Sequence, residues 1–225
     1  MKNVFSSDAY TRQFLVLLRE ELDDSLPGVD AHLKLAPEFR VQELKTEEPP
    51  ATAMESSVLI LLYPRNGRLF TVVILRNEYD GAHSGQISLP GGKNETTDLD
   101  FEHTALRETQ EEIGINPADI KVIGQLSRFY VRPSNFIIYP FIAFTPERPE
   151  FVPDSTEVQK IIEVDILNEI SYLKIVNRTL TVRNNIQINA PGFIVGGEFM
   201  WGATAMIFSE LLHVITIVTE KLKQT

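Results

Sequence analysis

Arg107-Glu108-Thr109-Gln110-Glu111-Glu112-Ile113-Gly114-Ile115 is the most telling stretch of this 225-residue chain, with Leu89-Pro90-Gly91-Gly92 shortly ahead of it. Glu108, Glu111 and Glu112 stand at i, i+3 and i+4, which stacks three carboxylates on one face of an α-helix. Like charges so placed repel by roughly a few tenths of a kcal/mol per pair. Two arrangements would offset this. The face could be solvated and held by pairs such as Arg107 with Glu111. It could instead hold a divalent cation, since Mg²⁺ takes oxygen ligands and keeps positions open for substrate phosphates. The surroundings favour the cation. A Pro-Gly-Gly turn precedes the helix, Gly114 ends it, and Ala105, Leu106 and Ile113 supply an apolar side. The Gly91-Gly92 backbone, lacking Cβ, can approach a ligand closely.

The flanking sequence alternates short β patterns with helical ones. Ser57–Tyr63 and Leu69–Leu75 read as buried strands joined by Asn66-Gly67, a pair suited to tight hairpins. The acid-bearing helix is expected over about Leu99–Ile113. One or two strands follow in Asp119–Tyr130, another in Asn135–Thr145, then a Pro-rich loop over Pro146–Pro153. Val158–Val164 reads as a strand and Asp165–Tyr172 as a short helix. Thr179–Arg183 and Ile186–Asn189 form a hairpin about Asn184-Asn185, and a last helix spans about Phe199–Lys223. At the other end, Phe14, Leu15, Leu18 and Leu22 give Asp8–Leu22 a helical apolar face. The chain up to Pro49-Pro50 is taken as an appendage and linker (residues 1–50) ahead of a main domain (51–225). That helix is expected to pack on the domain or on a second subunit, and a homodimer is the expectation carried forward.

Composition sets bounds. The net charge of −10 argues against nucleic acid as a partner, because backbone binding relies on Lys and Arg. With no cysteine there is neither a disulfide nor thiolate chemistry. The N-terminus shows no signal-peptide pattern, which fits a cytoplasmic protein. Trp201–Val218 is apolar but broken by Ser209, Glu210 and His213, so a buried helix is expected there and not a membrane span.

The central segment resembles the Nudix box: Gly, five residues, Glu, seven residues, then R-E-U-x-E-E-x-G-U with U apolar. Gly92 fits the first position. Arg107 to Ile115 fit the last nine except at Thr109, where the family usually has an aliphatic residue. Asp98 stands where Glu is usual, and eight residues, not seven, separate it from Arg107. That insertion, and the run Arg76…Gly85-Gln86…Pro90-Gly91-Gly92, resemble the coenzyme A pyrophosphatases of the superfamily. Gly81, Asn77 and Leu89 depart from that subgroup's signature. Trp201-Gly202-Ala203-Thr204-Ala205 is also similar to the opening of its last helix, and a glycine there suits close helix–sheet packing.

The resemblance implies an α/β fold, a Nudix α/β/α sandwich with a mixed sheet. It implies hydrolysis of a pyrophosphate bond in a nucleoside diphosphate conjugate, coenzyme A or a derivative first. An ADP-ribose or dinucleoside polyphosphate hydrolase and a non-catalytic nucleotide sensor are the alternatives. Glu108, Glu111 and Glu112 would hold Mg²⁺ or Mn²⁺, with Glu111 also catalytic, and Arg107 would steady the helix face. Asp98 is either a further ligand or a helix cap. Glu157 is the first candidate for general base, against a plain loop acid. His83 is the second, against a phosphate contact or a hydrogen-bonded loop residue. Arg76 and Gln86 would bind diphosphate or order their loop, and Gly91 and Gly92 would line the substrate site. Among the aromatics, Phe129, Tyr130 and Phe136 are candidates to stack on a base, against a place in the core.

Overall fold

The computed structural model describes residues 5, 8–46, 48–78, 84–166, 175–182 and 185–224. A mixed eight-stranded sheet organises the chain. Its first strand, β1 (Met54–Arg65), turns through Asn66 and Gly67, both at positive φ, into β2 (Arg68–Arg76). Two positive φ values are what a tight primed turn demands. Strands β3 (Ile87–Ser88) and β4 (Gly91–Lys93) follow, pairing with β2 and β1 respectively. Helix α4 (Phe101–Ile113) leads on to β5 (Lys121–Gln125), β6 (Phe129–Val131), β7 (Phe136–Phe144) and β8 (Val158–Asp165). β1 and β7 run parallel, with Glu55 opposite Ile137 and Ser57 opposite Tyr139. The remaining pairings in this sheet are antiparallel.

A second, three-stranded sheet holds β9 (Val176–Val182), β10 (Ile186–Val195) and β11 (Glu198–Trp201), ordered β11-β10-β9. Val182 lies opposite Ile186, as the expected hairpin requires. The final helix α5 begins at Gly202, not near Phe199, and runs to Lys223. Gly196-Gly197, both at positive φ, turn β10 back on β11, so Phe199–Trp201 is strand. Gly202 is needed for its φ of 64° and not for close packing, since a Cβ there would meet nothing within 4 Å. The short helix expected over Asp165–Tyr172 lies mostly outside the described residues; Asp165 itself ends β8.

The sheet separates two apolar layers. Against one face α4 packs Ala105 and Ile113 onto Leu59, Leu61, Tyr139 and Phe141. Against the other lie α1 (Asp8–Asp23) and α5, whose Phe14, Leu18, Phe208, Leu211 and Val218 are fully buried among the inner strands. α5 is long and apolar enough to span a membrane by composition, but most of it is buried in this core. Residues 29–46, expected to lead into a linker, form α2 (Val29–His32), two single 3₁₀ turns and α3 (Val41–Thr46). Leu35 and Ala36 reach the same core as α1 and the sheet.

A buried carboxylate fixes that arrangement. Glu210 of α5 accepts from the Gly28 amide at 3.0 Å, the Ser127 amide at 3.2 Å and His32 Nε2 at 3.1 Å. His32 and Glu210 are almost wholly enclosed. Three donors, two from the α2 segment and one from Ser127, thus converge on one acid that would otherwise be costly to bury.

Candidate functional site

The site is built where β4 meets α4. Gly91 pairs with Val58 and Gly92 with Ser57, so the Gly-Gly backbone is part of the sheet and not a free loop. Helix α4 starts two residues later than expected: Asp100 is its cap, accepting from the His103 amide at 2.7 Å. Gly114, at φ 76°, ends it. Thr109, in the position the family usually fills with an aliphatic residue, is fully buried; its hydroxyl donates to the Ala105 carbonyl at 2.7 Å and so is satisfied within the helix.

Asp98 is therefore not the cap. Its enclosed carboxylate accepts from Arg107 Nε at 2.9 Å and Nη2 at 3.0 Å, a two-pronged charge-assisted contact. The Glu95 amide, Thr104 hydroxyl and His103 ring complete its shell. Arg107 holds Asp98 well below the usual carboxylate range. From this anchor Arg107 Nη1 reaches Glu108 and Glu111, each at 2.9 Å, and Nη2 donates to the Lys93 carbonyl at 3.1 Å. The expected Arg107–Glu111 pair is present within the helix, while the contacts of Arg107 to Asp98 and to the Lys93 carbonyl tie the helix to the preceding loop.

The three acids are not equivalent. Glu111 is 58% exposed, Glu108 largely covered, and Glu112 only 2% exposed. Glu112 was expected on an exposed face. It is buried because it turns inward to accept from the Gly91 amide at 2.8 Å and from Arg76 Nη1 at 3.1 Å. Burial pushes Glu112 up to about 7, with Glu108 and Glu157 adding repulsion and Arg76 and the Gly91 amide opposing. Burial likewise raises Glu108, opposed by Arg107 and reinforced by Glu111 and Glu157. The glycines make this approach possible. A Cβ on Gly92 would fall on the Glu108 carboxylate, and one on Gly91 on the β1 backbone.

Glu157 reaches the site through the Pro-rich loop. The last carbonyls of α4 need partners; the Val152 amide donates to Ile113 and the Asp154 amide to Glu112. Asn77 then clasps the loop, its amide donating to the Glu157 carbonyl and its side chain to the Ser155 carbonyl. Arg76 Nη2 stands 3.6 Å from the Glu157 carboxylate, so one guanidinium bridges Glu112 and Glu157. Arg76, Asn77 and Glu157 line a cleft of about 650 Å³. The Gln86 carbonyl accepts from the Arg76 amide, tying the two signature residues together. His83 and Gly81 lie outside the described residues.

Among the described residues no three acids close on one point, because Glu108 and Glu111 lean on Arg107 while Glu112 leans on Arg76 and Gly91. The donor set nonetheless suits a hard cation. Asp98, Glu108, Glu111, Glu112 and Glu157 share two guanidinium groups, and acidic neighbours add to the raised proton affinity of Glu108 and Glu112. Sequence alone missed the anchoring of Arg107 by Asp98 and the Arg76 bridge. A signal for the first was present: Asp98 follows Gly92 at the interval of the box's first acid.

A mixed sheet between helices, carrying a Gly-Gly strand under an acidic helix, defines a loop–helix–loop acid site of the kind the box implies. Residues 54–180 match the NUDIX domain, and the chain belongs to the Nudix family. It is 31% identical over 172 residues to the mitochondrial coenzyme A diphosphatase NUDT8 of Homo sapiens, covering 74% of this chain and 70% of that one. It is 29% identical over 128 residues to the peroxisomal coenzyme A diphosphatase NUDT7 of Mus musculus, covering 57% of this chain. The chain spans only 54% of that mouse protein and 61% of mouse NUDT8. A Nudix hydrolase from M. smegmatis, RenU, shares the fold at a TM-score of 0.52 and 15% identity, over 73% of this chain and 87% of that one.

Proposed function

We propose that the protein is a divalent-cation-dependent pyrophosphohydrolase of nucleoside diphosphate conjugates, with coenzyme A as the first substrate. The observation that carries this reading is that Glu108 and Glu112 lie against Gly91-Gly92, with Glu111 sharing Arg107 with Glu108 and Glu157 sharing Arg76 with Glu112. The relatives named as coenzyme A diphosphatases support the substrate. Glu108, Glu111 and Glu112 would hold Mg²⁺ or Mn²⁺, the first two by releasing Arg107. Such a cation neutralises diphosphate charge and lowers the pKa of bound water. Arg107, anchored on Asp98, keeps α4 in register with the Lys93 carbonyl. Glu157, half-exposed at the cleft, takes the proton of the attacking water as its oxygen bonds to phosphorus and the bridging P–O bond breaks. Arg76 sets the Glu157 carboxylate and is within the cleft that would receive the diphosphate.

Digestion of coenzyme A by the full chain with Mg²⁺ or Mn²⁺ tests the proposal. The expected products are 3′,5′-ADP and 4′-phosphopantetheine, identified by chromatography against standards. If coenzyme A survives while ADP-ribose is cleaved at the higher kcat/KM, the substrate assignment fails and the same acids serve the second substrate.

A further inference from the structure

A second cavity, of about 200 Å³, lies between the N-terminal segment and the β6–β7 pair, lined among others by Arg40, Leu44, Pro49, Arg128, Tyr130 and Ile137. Its position relative to the acids follows from strand register. Ile137 is opposite Glu55 on one side of β1, and Lys93 is opposite Ser56 on the other. Two interstrand spacings put these strands about 10 Å apart, and the Lys93 carbonyl is the one that Arg107 holds. Two of its lining residues, Ile137 and Tyr130, lie on the face that carries α4, while Phe129 and Leu44 belong to the layer of α1 and α5, so the cavity sits at the end of the sheet. Ile137 and Tyr139 alternate on one side of β7, Tyr139 stacks on Phe101 of α4 at 3.9 Å, and Tyr130 is opposite Ile137.

The lining describes its occupant. Arg40 and Arg128 are matched by Glu43 and Glu48, so the cavity is electrically balanced and does not suit a phosphate. Arg40 is held by Glu43 at 3.2 Å, and Arg128 donates to the Tyr139 hydroxyl at 3.3 Å, which in turn donates to Glu55. Fixed guanidinium planes, a half-buried tyrosine and aliphatic walls suit a flat heteroaromatic ring. Carboxylates at the rim suit a ring bearing an amino donor. The volume is below that of pockets for whole drug-sized ligands, roughly 300–1,000 Å³, so it accommodates a base and not an entire nucleotide. We propose that this cavity seats the adenine of the substrate's nucleotide half, and that Val29, Arg40, Glu43, Leu44, Glu48 and Pro49 form a wall of the substrate site. The proposal rests on the nucleoside diphosphate reading above, with a ribose and its 5′-phosphate bridging the distance to the acids.

Titration of the full chain with AMP and with IMP, followed by saturation-transfer NMR, tests it. AMP is expected to bind and IMP, which lacks the amino group, to bind at least tenfold more weakly. Leu44→Trp fills the cavity, and Tyr130→Ala removes its aromatic wall. Each is expected to weaken AMP at least tenfold and to erase the preference over IMP, with the circular dichroism spectrum retained. Equal binding of AMP and IMP by the unaltered protein, or AMP affinity unmoved by both substitutions, overturns the assignment. Loss of AMP binding in Leu44→Trp, in a protein that leaves coenzyme A and ADP-ribose intact, supports the adenine seat and defeats the hydrolase reading. Turnover of either substrate with AMP affinity indifferent to both variants does the reverse.

Discussion

Glu112 serves two ends that oppose each other. It satisfies the Gly91 amide and Arg76 as a buried acceptor, yet burial and its acidic neighbours favour its neutral form. Between the ordinary glutamate value of about 4.3 and about 7, the folded protein keeps a proton that the unfolded chain has lost. Its contribution to stability therefore falls as pH rises through that window. A cation bound there displaces the proton, so calorimetric affinity for Mg²⁺ or Mn²⁺ should rise from pH 6 to pH 8. Affinity flat across that range would remove Glu112 from the ligand set. Glu112→Gln should cut turnover by orders of magnitude with the fold retained. Glu112→Ala should also cost about 1–3 kcal/mol in denaturant melts, since it strands the Gly91 amide. Asp98 has the opposite sign. Its depressed pKa contributes stability above the ordinary aspartate value of about 3.9 that is lost as pH falls through the folded one. Melting temperatures between pH 5 and pH 2 should drop less steeply in Asp98→Asn than in the parent. A parallel drop would mean that the Arg107 contact adds nothing.

At the scale of elements, the sequence carried what local rules encode. The Asn66-Gly67 hairpin, the strands around it and the α1 face all rest on turn chemistry or apolar period, and each lies where expected. The acid helix did too, apart from its first two residues. What escaped was set by distant partners. Nothing local shows that Glu112 turns inward, because its partners Gly91 and Arg76 lie in β4 and β2. Phe199–Trp201 reads as helix until Gly196-Gly197 place it beside β10. The run from 29 to 46 looks mixed because its short helices take their stability from α5 through Glu210. Glu210→Ala should accordingly destabilise the protein by about 1–3 kcal/mol for each amide it strands at Gly28 and Ser127. Chemical denaturation would check this, and a change below about 0.5 kcal/mol, the range of ordinary surface substitutions, would show that these donors find other acceptors.

The whole molecule does not divide at residue 50 in its packing, since Phe14, Leu18, Leu22 and Leu35 share one apolar core with Ile60, Ile142 and the buried face of α5. The surface of α1 that suggested a subunit contact is turned inward, against α5 and β5. Two outcomes follow from that single fact. Light scattering of the full chain should give the 25.5 kDa mass of one copy, because the apolar stripe offered for dimerisation is already covered. A chain lacking residues 1–45 should expose Ile123, Leu126 and much of α5, all now buried, and aggregate or melt without a cooperative transition. Burying one Leu or Phe side chain is worth about 1.5–3 kcal/mol. Losing the four named here removes as much as the entire net stability of a typical domain, about 5–15 kcal/mol. A truncated protein that stays soluble and melts cooperatively would show that residues 51–225 fold alone. Its affinity for AMP would then report whether the N-terminal wall is needed to hold the base.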